Sequence, residues 1–286
     1  MPSEEIPRAS HLGLGTGTLG SFGSSASAKE VSTLLDTMLA RGITAIDTAD
    51  AYGSGQAERL LGSALRGRHR SFFLMTKAGY RYGNLPWPLR PANAILKRAM
   101  HRLGARQCFT PEYLERCLKQ SLKRLGTDRV DVFFLHDPSL GDLEKLDFLR
   151  RLGRLRSQGM TGCFGVSSGE PEVIEAALSG KQVDFIQSPA NLADAGRLLN
   201  VWNACEKQGV RIVANHVMGR GDFGLPELTH EIRLKAAAAL LPSNSIILCG
   251  TRNASHLAQA DQWAGEALSR AAALNLVGRV AYAESI

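Results

Sequence analysis

Long apolar runs are missing from this sequence of 286 residues, and cysteines are few. No run approaches the ~20 apolar residues that cross a bilayer, so no membrane-spanning segment is predicted. The N-terminus is acidic and polar, which is the opposite of a secretory signal peptide. The five cysteines form no C-x-x-C pair, and most of them lie in apolar segments. We therefore expect reduced core thiols in a cytoplasmic protein, with no metal site and no membrane partner.

Acidic residues are also absent from residues 79–109, where six lysines and arginines lie in a chain of formal net charge +7. This stretch is either a solvated basic loop or a rim that attracts an anionic substrate or cofactor, and the sequence leaves both interpretations open. Nucleic acid is not an expected partner. No recognised binding fold and no series of stacking aromatic residues accompanies the charge.

What the sequence does contain is a regular alternation of short apolar runs and amphipathic helical stretches. The predicted strands cover residues 11–15, 43–46, 72–75, 130–135, 162–166, 183–186, 210–214 and 245–249. A predicted helix follows each of them, at residues 29–41, 58–66, 110–125, 143–156, 172–178, 197–207, 227–241 and 255–263. Strict alternation predicts a parallel sheet, and eight such units match an α/β fold of the (β/α)8 TIM barrel type. We predict a single domain over residues 1–286 with a long basic loop, 79–109, after the third strand; a doubly wound open sheet is the alternative.

Residues 15–20 read GTGTLG, which fits the G-x-G-x-x-G pattern of a Rossmann dinucleotide site. That pattern works only where a helix begins directly after the glycines and an acidic residue lies about 20 residues further on. Here a small polar loop follows instead, and the first helix begins near Lys29. Asp36 lies within that helix and not at the end of a second strand. The segment is therefore not interpreted as a Rossmann turn.

Four chemically active side chains lie where the second, third and fourth predicted strands end, which is the catalytic face of a barrel. They are Asp47, Tyr52, Lys77 and His136. A phenol has an ordinary pKa of about 10, so it acts as an acid near neutrality only if its anion is stabilised, for example by an ammonium group. A carboxylate beside that ammonium keeps it charged, and a histidine can hydrogen-bond a carbonyl. Each residue alone has a structural interpretation, such as a loop cap or a core histidine, but together they indicate proton delivery to a carbonyl oxygen.

Five segments carrying these residues resemble the aldo-keto reductase family. They are IDTADAYGSGQAERLLGSAL (46–65), MTKAG (75–79), LKRLGTDRVDVFFLHDP (122–138), GVSS (165–168) and IQSPAN (186–191). The resemblance covers nearly the whole chain and implies an NAD(P)-dependent oxidoreductase. It implies that Tyr52 is the general acid, that Lys77 lowers its pKa and that Asp47 is paired with Lys77. His136 would orient the carbonyl of the substrate.

The same resemblance implies a cofactor site. Its residues would be Thr16, Ser167, Ser168, Gln187, Met218, Gly219, Arg220, Gly250, Thr251 and Arg252. Thr251 and Arg252 are placed to hold an adenosine 2′-phosphate, which favours NADP while leaving NAD open. Two departures from the family pattern count against tight binding. Asn215 stands where the family has a tyrosine that stacks on the nicotinamide, and Ala260 replaces an asparagine that would hydrogen-bond adenine.

Three functions remain open from the sequence. The first is reduction of a small aldehyde or ketone to an alcohol, and the second is the same chemistry in the oxidative direction, as a sugar or lactol dehydrogenase. The third is a regulatory or partner-binding barrel that binds cofactor poorly. After Trp263 only a short tail is expected, so we predict that the basic loop walls the pocket, with Trp87 as a lining aromatic residue.

Overall fold

The computed structural model describes residues 9–20, 26–81, 107–144, 147–180, 183–219 and 225–284. Within these ranges eight parallel strands close into a barrel in sequence order, with the last strand pairing with the first. The strands are β1 (Leu12–Gly15), β2 (Ala45–Asp47), β3 (Phe73–Ala78), β4 (Val130–His136), β5 (Thr161–Ser167), β6 (Phe185–Pro189), β7 (Arg211–Asn215) and β8 (Ile246–Cys249). The predicted (β/α)8 TIM barrel is confirmed.

Helices surround the barrel and cover its outer face. Those within the described ranges are α1 (Ala28–Ala40), α2 (Gln56–Ala64), α3 (Pro111–Leu125), α4 (Leu140–Glu144), α5 (Asp147–Ser157), α6 (Pro171–Ser179), α7 (Leu192–Lys207), α8 (His230–Leu240), α9 (Ala254–Ala264) and α10 (Arg270–Glu284). A short 3₁₀ turn, His69–Ser71, precedes β3. None of the described helices has the length and apolar character needed to cross a membrane.

Local sequence signals set several helix ends. Ser27 and Glu30 form a capping box at the start of α1, and Thr110 caps α3 by accepting a hydrogen bond from the Tyr113 amide. Gly126 ends α3 in the left-handed conformation, with φ of 71°. These caps fix where each helix begins or ends relative to the strand that it covers.

The core has two layers. Outside the strands, one large apolar cluster joins them to the helices. Inside the barrel, a second apolar cluster fills the lumen with side chains that include Ala45, Met75, Phe134, Phe185 and Val213. Since successive side chains of a strand alternate between its two faces, these residues define which positions of each strand point into the lumen.

The structure differs from the sequence prediction at three helices. The predicted helix 143–156 is two helices, α4 and α5. Helix α7 begins at Leu192 and not at residue 197, because Asn191 caps it by accepting a hydrogen bond from the Asp194 amide. The expected short tail after Trp263 is wrong: α10 occupies residues 270–284 and buries Ala273, Val277 and Val280.

Candidate active site

Three of the predicted residues point into the mouth of the barrel because of strand alternation. Asp47, Lys77 and His136 each lie two positions beyond an inward-facing apolar residue on β2, β3 and β4. They therefore continue the lumen face at the carboxyl ends of neighbouring strands. Tyr52 follows β2 in the turn before α2. The barrel thus brings the four predicted residues to one face.

Lys77 and Asp47 form a buried ion pair. The lysine Nζ donates to both carboxylate oxygens, at 2.7 Å to Oδ1 and 2.6 Å to Oδ2. Their side chains are 1% and 4% exposed, so neither charge is compensated by water. A buried charge that loses its partner costs about 3–5 kcal/mol, so the two residues depend on each other. Burial of the ammonium is the largest single influence and lowers the pKa of Lys77, but the charges and hydrogen bonds of Asp47 and Tyr52 together outweigh it, so the net shift is upward.

Tyr52 lies beside this ion pair. The Nζ of Lys77 is 5.0 Å from the centroid of the Tyr52 ring. Burial of the phenol raises the pKa of Tyr52, the Lys77 charge lowers it, and the Asp47 charge raises it again. The net pKa lies above 10.0, the ordinary value for tyrosine, so the phenol holds its proton at neutral pH.

His136 completes the group. Its ring makes an edge contact with the Tyr52 ring, with centroids 6.0 Å apart and an interplanar angle of 86°. The side chain is partly buried at the mouth of the barrel, on the strand next to β3. The arrangement therefore places an imidazole, a protonated phenol and a buried ammonium around one opening.

Two polar residues on the next strands extend the network. Ser167 on β5 donates its hydroxyl proton to Oε1 of Gln187 on β6, at 3.0 Å. The Gln187 amide donates to Oδ1 of Asp47, at 2.9 Å. The sequence indicated Ser167 and Gln187 as cofactor residues but gave no sign that Gln187 also holds Asp47 in place.

The mouth also contains buried polar atoms suited to an amide ligand. Thr16 Oγ1, Thr48 Oγ1 and Asn215 Oδ1 are buried and make no hydrogen bond within the part of the chain that the structure describes. Buried polar atoms are normally paired, so atoms of this kind fit a site that a polar ligand completes. A nicotinamide carboxamide carries both a donor and an acceptor, and Asn215, which continues the inward face of β7 two positions beyond Val213, is placed to meet it.

The turn after β7 contains two further predicted residues, Met218 and Gly219. Gly219 has φ of 65°, and a Cβ there would lie 3.1 Å from the Cβ of Asn191. The carbonyl of Met218 accepts a hydrogen bond of 2.6 Å from Nη1 of Arg233, which is buried on α8. Arg233 was not predicted as part of the site, and it holds this turn from behind. Arg220 lies outside the described residues.

Three predicted residues, Gly250, Thr251 and Arg252, lie between β8 and α9. The Thr251 hydroxyl accepts a hydrogen bond from the Asn253 amide, at 3.0 Å, and Asn253 in turn caps α9. Among the residues that the structure describes, a Cβ at Gly250 would meet no atom within 4 Å, so these residues leave the backbone there open to an approaching group. The Ser168 hydroxyl accepts a hydrogen bond from the Glu170 amide at 3.1 Å, and its own proton is left to donate.

Most of the predicted basic loop, including Trp87, falls on residues 82–106, outside the described ranges. Its described ends are held together next to the site. Tyr80 and Gln107 form an antiparallel bridge, and the Cys108 amide donates to the Gly79 carbonyl at 2.8 Å.

A sequence model described as the aldo/keto reductase family matches residues 11–226. The chain belongs to the aldo/keto reductase family. The family resemblance seen in the sequence is confirmed, and the barrel is the fold that it implied.

Relatives of this family member carry oxidoreductase names. The chain is 29% identical over 216 residues to uncharacterized oxidoreductase YqkF of Bacillus subtilis, covering 74% of this chain and 62% of that protein. It is 28% identical over 218 residues to D-threo-aldose 1-dehydrogenase of a Pseudomonas species, covering 73% and 66%. The matched region thus spans less than two thirds of either relative.

Solved structures share the barrel. A putative aldo-keto reductase of Pseudomonas aeruginosa is 25% identical with a TM-score of 0.69, and the match covers 90% of both chains. An aldo-keto reductase of Klebsiella pneumoniae, solved with NADP and acetate, is 23% identical with a TM-score of 0.68, covering 94% of this chain and 90% of that one. At that identity the second likeness shows the fold alone.

Proposed function

We propose that this family member reduces a small aldehyde or ketone to an alcohol, with NADP as its cofactor. The observation that carries the proposal is the buried Lys77–Asp47 ion pair, with its ammonium 5.0 Å from the ring of Tyr52. In the proposed mechanism Tyr52 donates the proton to the carbonyl oxygen, and Lys77 stabilises the phenolate that remains. Asp47 keeps Lys77 charged and fixed, and His136 hydrogen-bonds the carbonyl. When bound, the reduced cofactor supplies the hydride.

The cofactor would be held by two groups of residues. Ser167, Ser168 and Gln187 would bind the carboxamide, together with the oxygens of Thr16 and Asn215 that have no hydrogen-bond partner among the described residues. Met218, Gly219, Arg220, Gly250, Thr251 and Arg252 would bind the phosphates and the adenosine end. A guanidinium at Arg252 suits a 2′-phosphate, which is why NADP is proposed ahead of NAD.

Oxidation of NADPH, followed by absorbance across a panel of aldehydes and ketones, tests the reductase activity. Removing the phenol hydroxyl with Tyr52→Phe should lower kcat by about 10²-fold or more, while the Kd for NADPH stays within about twofold. An exposed tyrosine outside the site, Tyr282, offers the matched control Tyr282→Phe, which should leave both values unchanged. Turnover that is unaffected by Tyr52→Phe contradicts the proposal.

Oxidation of a sugar is a second candidate, favoured by the relatives. Besides D-threo-aldose 1-dehydrogenase, the chain is 27% identical over 235 residues to pyridoxal 4-dehydrogenase of Microbacterium luteolum. Oxidation needs Tyr52 to accept a proton, and its raised pKa keeps the phenol protonated at neutral pH. Incubating one aldose with NADPH, which would reduce it to the alditol, and separately with NADP, which would oxidise it to the lactone, distinguishes the candidates. Faster oxidation at neutral pH would favour the dehydrogenase.

Poor cofactor binding is the basis of the third candidate, a regulatory or partner-binding barrel. Asn215 offers no ring for stacking, and Ala260 is buried in the apolar cluster behind α9. Calorimetric titration with NADPH and NADH decides this point. Micromolar binding supports an enzyme, and no binding of either cofactor supports the third candidate.

The charge of the substrate is a finer point of the proposal. The basic loop 79–109 favours an anionic carbonyl compound, and Arg81 is exposed at its described end. Asp137, exposed directly after His136, opposes an anion. Comparing kcat/KM for neutral and anionic aldehydes of equal size, at low and high salt, separates the two influences.

The five free cysteines fit a reducing compartment, which supports a cytoplasmic location.

A further inference from the structure

The rim beside His136 contains a second tyrosine. Tyr80 follows β3, and its ring lies 4.7 Å from the His136 ring, centroid to centroid, at an interplanar angle of 88°. Tyr52 contacts the same imidazole at 6.0 Å. The His136 ring therefore lies in edge contact with two phenol rings, and the Tyr80 ring has the shorter centroid distance.

Tyr80 is itself fixed at three points. Its hydroxyl donates to Oδ2 of Asp137 at 2.7 Å. Its carbonyl accepts a hydrogen bond of 3.0 Å from the Tyr113 hydroxyl, and its backbone bridges to Gln107. A ring held by its hydroxyl and by its backbone has little freedom to turn, so it can define the orientation of a neighbouring ring.

The backbone after His136 is held in an uncommon conformation. Asp137 has φ of 52°, a left-handed conformation that non-glycine residues rarely adopt. The side-chain amide of Gln107 donates to the carbonyls of both His136 and Asp137, at 3.2 and 2.6 Å. The Asp137 amide donates to the Ser167 carbonyl at 2.9 Å. Strain of this kind persists only where surrounding contacts maintain it, and here they aim the Asp137 carboxylate at Tyr80.

We propose that Tyr80, anchored by Asp137, is a positioning residue that sets the orientation of the His136 imidazole for the substrate carbonyl. The inference rests on the proposed reductase function, in which His136 hydrogen-bonds that carbonyl. Tyr80 contacts the His136 ring and acts through it. Its loss should therefore reduce the rate of chemistry more than the binding of NADPH.

Steady-state kinetics and NADPH titration test whether Tyr80 affects the rate of chemistry more than cofactor binding. Tyr80→Leu removes the ring and the anchor together and should lower kcat about tenfold, with the Kd for NADPH within about twofold of wild type. Asp137→Asn keeps an oxygen that accepts from the hydroxyl and should stay within about threefold of wild type, whereas Tyr80→Phe keeps the ring but loses the anchoring hydrogen bond and should fall between Asp137→Asn and Tyr80→Leu. Asp137→Ala removes the carboxylate that accepts from the Tyr80 hydroxyl and keeps the tyrosine ring. If Tyr80→Leu does not fold, Asp137→Ala tests the inference in its place, and its kcat should fall below that of wild type. Wild-type kcat in folded Tyr80→Leu or Asp137→Ala overturns the inference.

Nuclear magnetic resonance of histidine-labelled protein supplies a readout that needs neither substrate nor turnover. The signals of His136 are assigned by their loss in His136→Asn. We expect them to shift and broaden in Tyr80→Leu, and to stay close to wild type in the surface control Tyr282→Leu. Unchanged His136 signals in folded Tyr80→Leu overturn the inference. Shifted signals in a protein without reductase activity support the positioning of His136 while contradicting the proposed function.

Discussion

At the scale of single residues, burial and charge act in opposite directions on Tyr52. Burial of the phenol raises its pKa, and the ammonium of Lys77 lowers it. Because burial is the larger influence, the phenol stays protonated, which is the state that donates. If Tyr52 is the acid, kcat for reduction should be level through the neutral range and fall only above about pH 10. A pH profile of NADPH oxidation measures this, and a decline in kcat with rising pH that begins below about pH 8 would contradict it.

Replacing Lys77 tests the influence of its positive charge on the pKa of Tyr52. Lys77→Met removes the positive charge, so the pKa of Tyr52 should rise further and its phenolate should lose its stabilising partner. It also leaves Asp47 buried without its cation. We expect kcat to fall by about 10²-fold or more and thermal stability to fall as well. Lys119→Met is the matched control: Lys119 forms an exposed pair with Glu115 on α3, and neither value should change appreciably.

Asp50 is a buried acid that the proposed reaction does not use. Its amide donates to the Lys77 carbonyl at 3.1 Å, and its side chain is fully buried. Burial raises the pKa of Asp50 well above 3.8, the charge of Glu58 adds to this, and Arg124 lowers it. The unfolded chain therefore binds fewer protons than the folded one above about pH 4. This acid makes the folded state less stable as pH rises, by about 1.4 kcal/mol per unit, until its folded pKa is reached.

Asp50→Asn removes this pH dependence without changing the shape of the side chain. We expect the variant to gain free energy of unfolding relative to wild type as the pH rises from about 4 towards the raised pKa of Asp50 in the folded state, because the wild type loses stability over that range. Calorimetric unfolding of both proteins across the range measures the difference. The exposed Asp128 provides the control Asp128→Asn, whose difference from wild type should stay constant. Parallel curves for Asp50→Asn would show that Asp50 is ionised in the folded state.

At the scale of elements, α2 and α3 approach each other through a glycine. A Cβ at Gly62 on α2 would overlap the carbonyl of Arg124 and lie 2.7 Å from the Leu125 carbonyl oxygen, at the end of α3. Gly62→Ala should therefore destabilise the protein by about 1–3 kcal/mol. No described atom lies within 4 Å of where a Cβ on Gly153 of α5 would be, so Gly153→Ala should stabilise the protein by about 0.5–1 kcal/mol. Denaturant unfolding compares the two, and equal effects would contradict the close packing.

The order of the elements could be predicted from the sequence because each buried parallel strand is a short apolar run between amphipathic helices. The ends could not. The apolar run before Asp47 stops at Ile46, yet β2 continues through Asp47, because an inward position at the barrel mouth can carry a charge that Lys77 neutralises. Helix α10 was missed although Ala273, Val277 and Val280 have helical spacing. In an alanine-rich segment that stripe is too weakly apolar to stand out.

The sequence predicts the parts of the site that lie on neighbouring strands. It does not predict the contacts that form across the lumen once the barrel is closed. Asp47, Lys77 and His136 follow neighbouring strands, so the sequence places them together. The hydrogen bond from Gln187 to Asp47 joins residues 140 positions apart, on strands β6 and β2 at opposite sides of the barrel. Only the closed lumen brings them into contact. The unpaired oxygens of Thr16 and Asn215 likewise become visible only when burial is known.

At the scale of the whole molecule, a ligand that binds the folded barrel and not the unfolded chain stabilises the folded state. A cofactor at about 100 times its Kd adds about 2.7 kcal/mol to the free energy of unfolding. In a domain of this size that corresponds to a rise in Tm of roughly 5 °C. We expect a larger rise with NADPH than with NADH at equal concentration, because the proposed site includes a guanidinium for the 2′-phosphate. Thermal scans of the full chain measure both.

Arg252→Met separates the contribution of that guanidinium from the rest of the cofactor site. The variant keeps a long side chain between β8 and α9 but loses the charge that would pair with the 2′-phosphate. Its Tm shift with NADPH should fall to the level seen with NADH, while the NADH shift stays as in wild type. Arg41→Met, at an exposed ion pair with Asp261 on α9, controls for the loss of one positive charge and should keep the wild-type difference. Equal shifts with both cofactors in the wild type would contradict NADP specificity, and no shift with either would favour the binding barrel over the enzyme.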